Sequence, residues 1–183
     1  MSKVAIQGNA SGTGTLTIAA PNTNTDRTLT LPDSAGTVDT LQRAGNVLQV
    51  VQGTLTGEVT TSTSTYADSG LSATITPSSS SSKILVTVTH ASVGKVGADT
   101  RAKWKLLRDS TTIFDEELSA YTNSTGSNNV GNTSLTYLDS PATTSAITYK
   151  TQIANHNATG TVLFGWNLTG QLSGAIVLME IAA

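Results

Sequence analysis

From residue 47 to the end, the chain is a succession of short stretches in which apolar residues alternate with Thr, Ser or charged residues, separated by Gly, Pro, Asn or Asp. The alternation is cleanest in Ile147-Thr148-Tyr149-Lys150-Thr151-Gln152-Ile153 and in Leu71-Ser72-Ala73-Thr74-Ile75-Thr76. A period of two places one set of side chains against a core and the other in water, which is the signature of a half-buried strand. Ser and Thr together make up about three residues in ten, while charged residues are only 12%. That balance suits pleated sheets, where Thr packs well, and suits helices poorly. The pattern predicts strands over 47–52, 57–61, 71–76, 83–92, 102–108, 111–114, 133–138, 147–155, 161–168 and 175–181. Asp109-Ser110 reads as a tight hairpin turn, 78–82 as a serine loop and 121–131 as a long Asn/Ser/Gly loop. Strands of this number, length and spacing predict an antiparallel β-sandwich of the jelly-roll kind over residues 46–183.

Residues 1–45 read differently, as an extended β-hairpin arm. Strand patterns fall at 3–7, at Thr15-Leu16-Thr17-Ile18 and at Thr28-Leu29-Thr30-Leu31, with Pro/Asn/Asp clusters between them. An isolated hairpin is marginal in water. Leu16, Ile18, Leu29 and Leu31 are therefore candidates for anchoring the arm on something else. A short helix over 39–45, stopped by Gly45, would join the two parts.

The last strand departs from alternation. In Ala175-Ile176-Val177-Leu178-Met179-Glu180-Ile181 both faces are mostly apolar. A strand apolar on both faces is usually covered on both. Ile176, Val177, Leu178, Met179 and Ile181 are thus candidates for a subunit interface, unless another part of the same chain covers the second face.

Several function classes find little support. A net charge of −2, with ten scattered Lys and Arg, argues against nucleic acid. Arg101, Lys103 and Lys105 should line a solvated strand face opposite a core Trp104. The absence of cysteine removes disulfides and thiolate chemistry. No apolar run suits a signal peptide or membrane insertion. Asp115-Glu116-Glu117 would point alternately on a strand, and reads as a solvated strand end more readily than as a cation site. Asp99, Asp109 and Asp139 could meet only through the fold. His90 and His156 come with no nucleophile elbow, so catalysis is not expected, nor any cofactor or metal. Trp104, Tyr137, Tyr149 and Trp166 fall in strand patterns, where rings default to the core. Tyr66 and Tyr121 look loop-borne.

The stretch Gly12 to Val38, with Thr28-Leu29-Thr30-Leu31-Pro32-Asp33 followed by Gly36-Thr37, resembles the N-terminal modules of bacteriophage tail-fibre and head-decoration proteins. The segment 64–77 with Lys83-Ile84-Leu85-Val86, the pair Tyr137-Leu138-Asp139-Ser140-Pro141 and Thr148-Tyr149-Lys150, and the ending Met179-Glu180-Ile181-Ala182-Ala183 resemble segments of structural proteins of marine and cyanobacterial phages. The resemblance covers most of the chain in pieces. It implies a non-enzymatic virion structural protein, made in the host cytoplasm and carried on the particle. It further implies a homotrimeric capsid decoration, cement protein or short fibre. The arm would then dock on the major capsid protein or on a tail or fibre protein. The absence of a long shaft favours head decoration. The other expectation is a receptor-binding module that recognises host surface glycan through the 121–131 loop.

Overall fold

In a computed structural model of the protein, the described residues are 11–13, 24, 26 and 43–183. The chain divides into two units, Met1–Val38 and Asp39–Ala183, and the fold set out here is that of the second. The arm strands, with Leu16, Ile18, Leu29 and Leu31, lie outside the described residues. Of the expected helix over 39–45 only residues 43–45 are described, and they form a turn.

Ten strands follow: β1 (Val47–Thr56), β2 (Val59–Thr61), β3 (Ala67–Ile75), β4 (Lys83–Val96), β5 (Arg101–Arg108), β6 (Thr111–Tyr121), β7 (Ser127–Asp139), β8 (Ile147–Asn155), β9 (Thr161–Phe164) and β10 (Leu172–Ile181). Their pairing is nested. β5 pairs with β6, β4 with β7, β3 with β8, β2 with β9 and β1 with β10, all antiparallel. The chain is therefore one long hairpin ribbon. Rolling that ribbon brings β4 against β10 and β9, and β5 against β8. The result is two facing sheets. In the first, β1-β10-β4-β7 lie side by side, and β2 and β9 continue β1 and β10 along the far half of β4; the second is β3-β8-β5-β6. This is the jelly roll expected from the alternation.

The core lies between the sheets. Trp104, Tyr149, Phe164, Leu71, Ile84 and Leu106 are buried there completely, each large side chain contributing roughly 1.5–3 kcal/mol relative to exposure. Polar ties cross between the sheets as well. Arg108 Nη1 donates to both oxygens of Asp139 at 2.9 Å, and Tyr149 Oη donates to Asp139 Oδ2 at 2.6 Å. Burial, with the Asp139 carboxylate beside it, pushes the Tyr149 phenol up. At Gly53 the sheets come so close that an added Cβ would lie 1.9 Å from the Ser72 carbonyl oxygen.

Beyond shifted ends such as β1 running to Thr56, β3 starting at Ala67 and β10 at Leu172, structure and expectation part at four places. β4 does not stop at Ser92: a bulge at 91–92, with Ser92 at a φ of 51°, lets it run on to Val96. Most of 121–131 is strand, because β6 runs through Tyr121 and β7 begins at Ser127, leaving only residues 122–126 as a loop. Asp115-Glu116-Glu117 sits in the middle of β6 and not at a strand end. Trp166 lies beyond β9, which Gly165 ends at a φ of 77°; a Cβ there would come within 2.4 Å of the Gly57 carbonyl oxygen.

Candidate interaction face

β10 lies between β1 and β4, so its two faces have different fates. Ile176 and Leu178 are fully buried in the chain's own core. This removes them from the candidate subunit interface and leaves Val177, Met179 and Ile181, which alternate outward and are half-buried. Glu180 points inward with Ile176 and Leu178, yet it is a buried carboxylate. It accepts from Ser78 N at 2.7 Å, Ser78 Oγ at 2.6 Å and Gln49 Nε2 at 2.6 Å. Burial alone would raise its pKa, but the bonds from Ser78 and Gln49 prevail and hold it down at about 2.

The register extends the outward residues of β10 into rows that cross the sheet. Val50 pairs with Met179, Met179 with Leu85 and Leu85 with Leu138. These four side chains form an apolar ridge over β1, β10, β4 and β7, roughly 14 Å long at the usual strand spacing. Its ends are open to solvent: Val50 is 57% exposed and Leu138 49%. The next row is Gln52, Val177, Thr87 and Thr136, and the one after it Thr54, Ala175, Thr89 and Ser134. None of these twelve residues is charged. A shallow notch of about 80 Å³, lined by Thr89, Ala91, Leu172 and Ala175 among others, lies at the far end. Val50, Leu85 and Leu138 escaped the sequence reading. The signal was present, since each is an apolar residue at the outward parity of its strand.

The outer face of the second sheet has the opposite character. Lys103 and Lys105 lie over the Tyr66 ring at 4.6 and 4.3 Å, and Arg101 over the Tyr121 ring at 4.7 Å. Tyr66 Oη donates to Asp115 at 2.5 Å, and partial burial together with this carboxylate raises the phenol's pKa. Lys150 and Gln152 donate to Asp68 at 2.9 and 2.6 Å, and these bonds lower the Asp68 pKa. His156 and Lys103 approach Glu117 at 2.9 and 4.0 Å. Beneath lies Trp104, whose indole donates to Glu116 and Thr133. The basic residues expected opposite a core tryptophan do share one face, half-buried over the Tyr66 and Tyr121 rings, and Lys103 also reaches Glu117.

No family model matches the chain, and no curated protein does. Among solved structures, similarity is found to infectious bursal disease virus of the Gt strain, at 14% identity and a TM-score of 0.39. The match covers 90% of this chain and 42% of that one. The Gx strain structure matches at 10% identity and a TM-score of 0.35, covering 74% of this chain and 36% of that one. This chain thus spans less than half the length of either.

The remaining candidates do not assemble a reactive site. His90 is fully buried, packed edge-on to Trp104 and Phe164 at 5.5 and 5.1 Å between ring centres. Its Nε2 meets Thr151 Oγ1 at 3.2 Å, and Thr151 shares a 2.6 Å hydrogen bond with Ser69. Burial pushes the imidazole down to about 4, so it is neutral at ordinary pH. A Ser-Thr-His chain sealed in a core cannot meet a substrate. Asp99, Asp109 and Asp139 do not converge: they bind Tyr121, Thr148 and the Arg108–Tyr149 pair respectively. Among the described residues no three His, Cys, Asp or Glu could hold a metal ion. Tyr137 and Trp166 are half-buried, and the Trp166 ring packs on Gly94.

Proposed function

We propose that this chain is a non-enzymatic structural protein of a bacteriophage virion. In this reading it is a homotrimeric decoration or short fibre, docked through its N-terminal segment with the jelly roll projecting from the particle. The observation that carries the reading is the contrast between the two outer faces of the sandwich. One face carries an apolar ridge among uncharged rows, with Lys83 at its margin; the other carries charges that pair among themselves. A face designed for water holds charges, whereas a neutral sheet face over four strands is suited to contact with another protein surface. The phage-like segments along the sequence add to this, and the jelly roll is a common architecture of capsid and lectin domains, which is support by analogy only. The chemistry is one of buried apolar surface and added strands, with no reaction step.

The glycan-binding alternative loses its main support. The segment expected to form a long recognition loop is mostly strand, and Lys95 ties its remaining turn down by donating to the Ser124 carbonyl oxygen. The test is co-sedimentation with particles lacking their own copies. Full-length protein should pellet with them, and protein without residues 1–42 should stay in the supernatant with its β-sheet spectrum intact. A truncated protein that still pellets would refute docking through the N-terminal segment.

A further inference from the structure

We propose that Ser69-Gly70-Leu71, a bulge in the edge strand β3, is an acid-opened lid over His90. When the imidazole takes up a proton, this segment parts from β8 and admits water while the other strands stay paired. One short segment closes over the ring at both nitrogens. On the Nε2 side, Thr151 Oγ1 stands 3.2 Å away, and Ser69 Oγ closes over Thr151 at 2.6 Å. On the Nδ1 side, a Cβ built on Gly174 would lie 3.2 Å from Leu71 Cδ2 and 3.4 Å from His90 Nδ1, so both border one small space. Nδ1 itself is buried without a hydrogen-bond partner. The same segment is weakly anchored. Pairing runs from Asp68–Gln152 straight to Ser72–Lys150, so three residues of β3 stand opposite Thr151 alone and the ladder is interrupted there. β3 is hydrogen-bonded to a strand on one side only. Gly70, at a φ of 87°, is a hinge free of a side chain. A notch of about 70 Å³, lined by Asp68, Ser72, Lys150 and Thr151 among others, opens the outer side of the bulge to solvent.

Protonation supplies the force. An imidazolium carries two N–H donors, and the one on Nδ1 would find no acceptor, while the charge would sit among Trp104, Phe164 and Leu71. A buried charge without a partner is costly, and water is its remedy. No charged group on the surrounding strands compensates. Asp68 of β3 pairs with Lys150 of β8, and Asp139 of β7 with Arg108 of β5. Lys103 and Lys105 of β5 lie over Tyr66, and Arg101 over Tyr121. Glu180 of β10 is held by Ser78 and Gln49, and β9 carries no charge. On β4 itself, Lys95 donates to the carbonyl oxygens of Gly97 and Ser124, and Lys83 is exposed. Burial is thus the one influence on the imidazole's proton. Water that enters by the notch displaces three residues of an interrupted ladder, whereas a route through β10 or β5 breaks an uninterrupted one.

Native-state hydrogen exchange of the full-length chain, in a His156→Gln background that leaves one imidazole, tests this amide by amide. The Leu71 amide, which donates to Ser69 Oγ, should exchange faster than the amides of Val86 and Leu178 in the central strands β4 and β10. From pH 6.5 to 4.5, after correction for intrinsic exchange chemistry, its opening should become roughly 40-fold more populated. That is the ratio for an imidazole whose pKa returns from about 4 to 6.5 on hydration. His90→Leu should abolish this pH dependence. Ser69→Ala, which removes the hydroxyl closing over Thr151, should raise the opening at both pH values and keep its pH dependence. A Leu71 amide as slow as those of Val86 and Leu178 at both pH values would show that His90 is reached only by unfolding the whole sandwich, and would overturn the lid. A fast opening with no pH dependence would show that the entering water does not reach His90, and would overturn the coupling. A Ser69→Ala protein that opens no more than its parent would overturn the part given to the hydroxyl chain.

Discussion

Lowering the pH from 7 to 4.5 should destabilise the jelly roll through one residue, His90. Its imidazole is sealed between Trp104, Phe164 and Thr151, and burial depresses its pKa from 6.5 to about 4. The sign follows from which state binds the proton. Below pH 6.5 the unfolded chain protonates this histidine while the folded chain does not, so stability is full above 6.5 and is lost as pH falls toward 4. The loss approaches 1.36 kcal/mol per pH unit across that window, giving about 2 kcal/mol by pH 4.5 and about 3 kcal/mol by pH 4. Against a typical domain stability of roughly 5–15 kcal/mol this is a large fraction. Urea unfolding at pH 7, 5.5 and 4.5, followed by tryptophan fluorescence, measures it directly. A His156→Gln background leaves His90 as the only imidazole. With m near 1–3 kcal/mol/M the midpoint should drop by about 1–2 M. The control is His90→Leu, which loses the Thr151 contact and is weaker at pH 7, but whose stability should be flat over the same window. A His90→Leu protein that keeps the wild-type slope would refute the argument.

Four further outcomes follow from the same structure. Glu180 is held near a pKa of about 2 by Ser78 and Gln49, so the stability it contributes is present above 4.5 and is lost as pH falls from 4.5 toward 2. Glu180→Gln should remove that second acid phase in thermal melts and cost roughly 1–3 kcal/mol at pH 7. Gly53→Ala forces a methyl onto the Ser72 carbonyl and should cost about 1–3 kcal/mol or more in urea midpoint experiments. Asp139→Ala strands Arg108 and the Tyr149 hydroxyl between the sheets and should cost roughly 3–5 kcal/mol. Asp68→Ala, on the exposed charged face, should cost less than about 1 kcal/mol by the same assay.

How much of this was legible in the sequence depends on what each residue touches. Strand existence was legible throughout, because period-two alternation is written by the residues of the strand itself, and β8 matches its expected bounds at both ends. Strand ends were less so. The bulge at 91–92 and the extension of β7 down to Ser127 are decided by pairing between distant segments: Gly94 to Val96 of β4 meet Ser127 to Asn129. The polar residues there look like loop until a partner strand supplies their backbone hydrogen bonds. Glu180 was unreadable for the same reason, since its partners Ser78 and Gln49 lie 102 and 131 residues away.

The interaction face shows the limit most clearly. The double apolar pattern of β10 predicted a strand covered on both faces, but it could not say that Ile176 and Leu178 serve the chain's own core. It also could not link Met179 to Val50, Leu85 and Leu138, because only register makes them neighbours. A lone outward leucine in a Thr-rich strand is an ordinary surface residue. Two such leucines, aligned with Val50 and Met179 across four strands, form an apolar ridge, with the exposed Lys83 on the same face beside Ile181. That alignment makes one ridge of residues that are scattered along the sequence, and only the strand register reveals it.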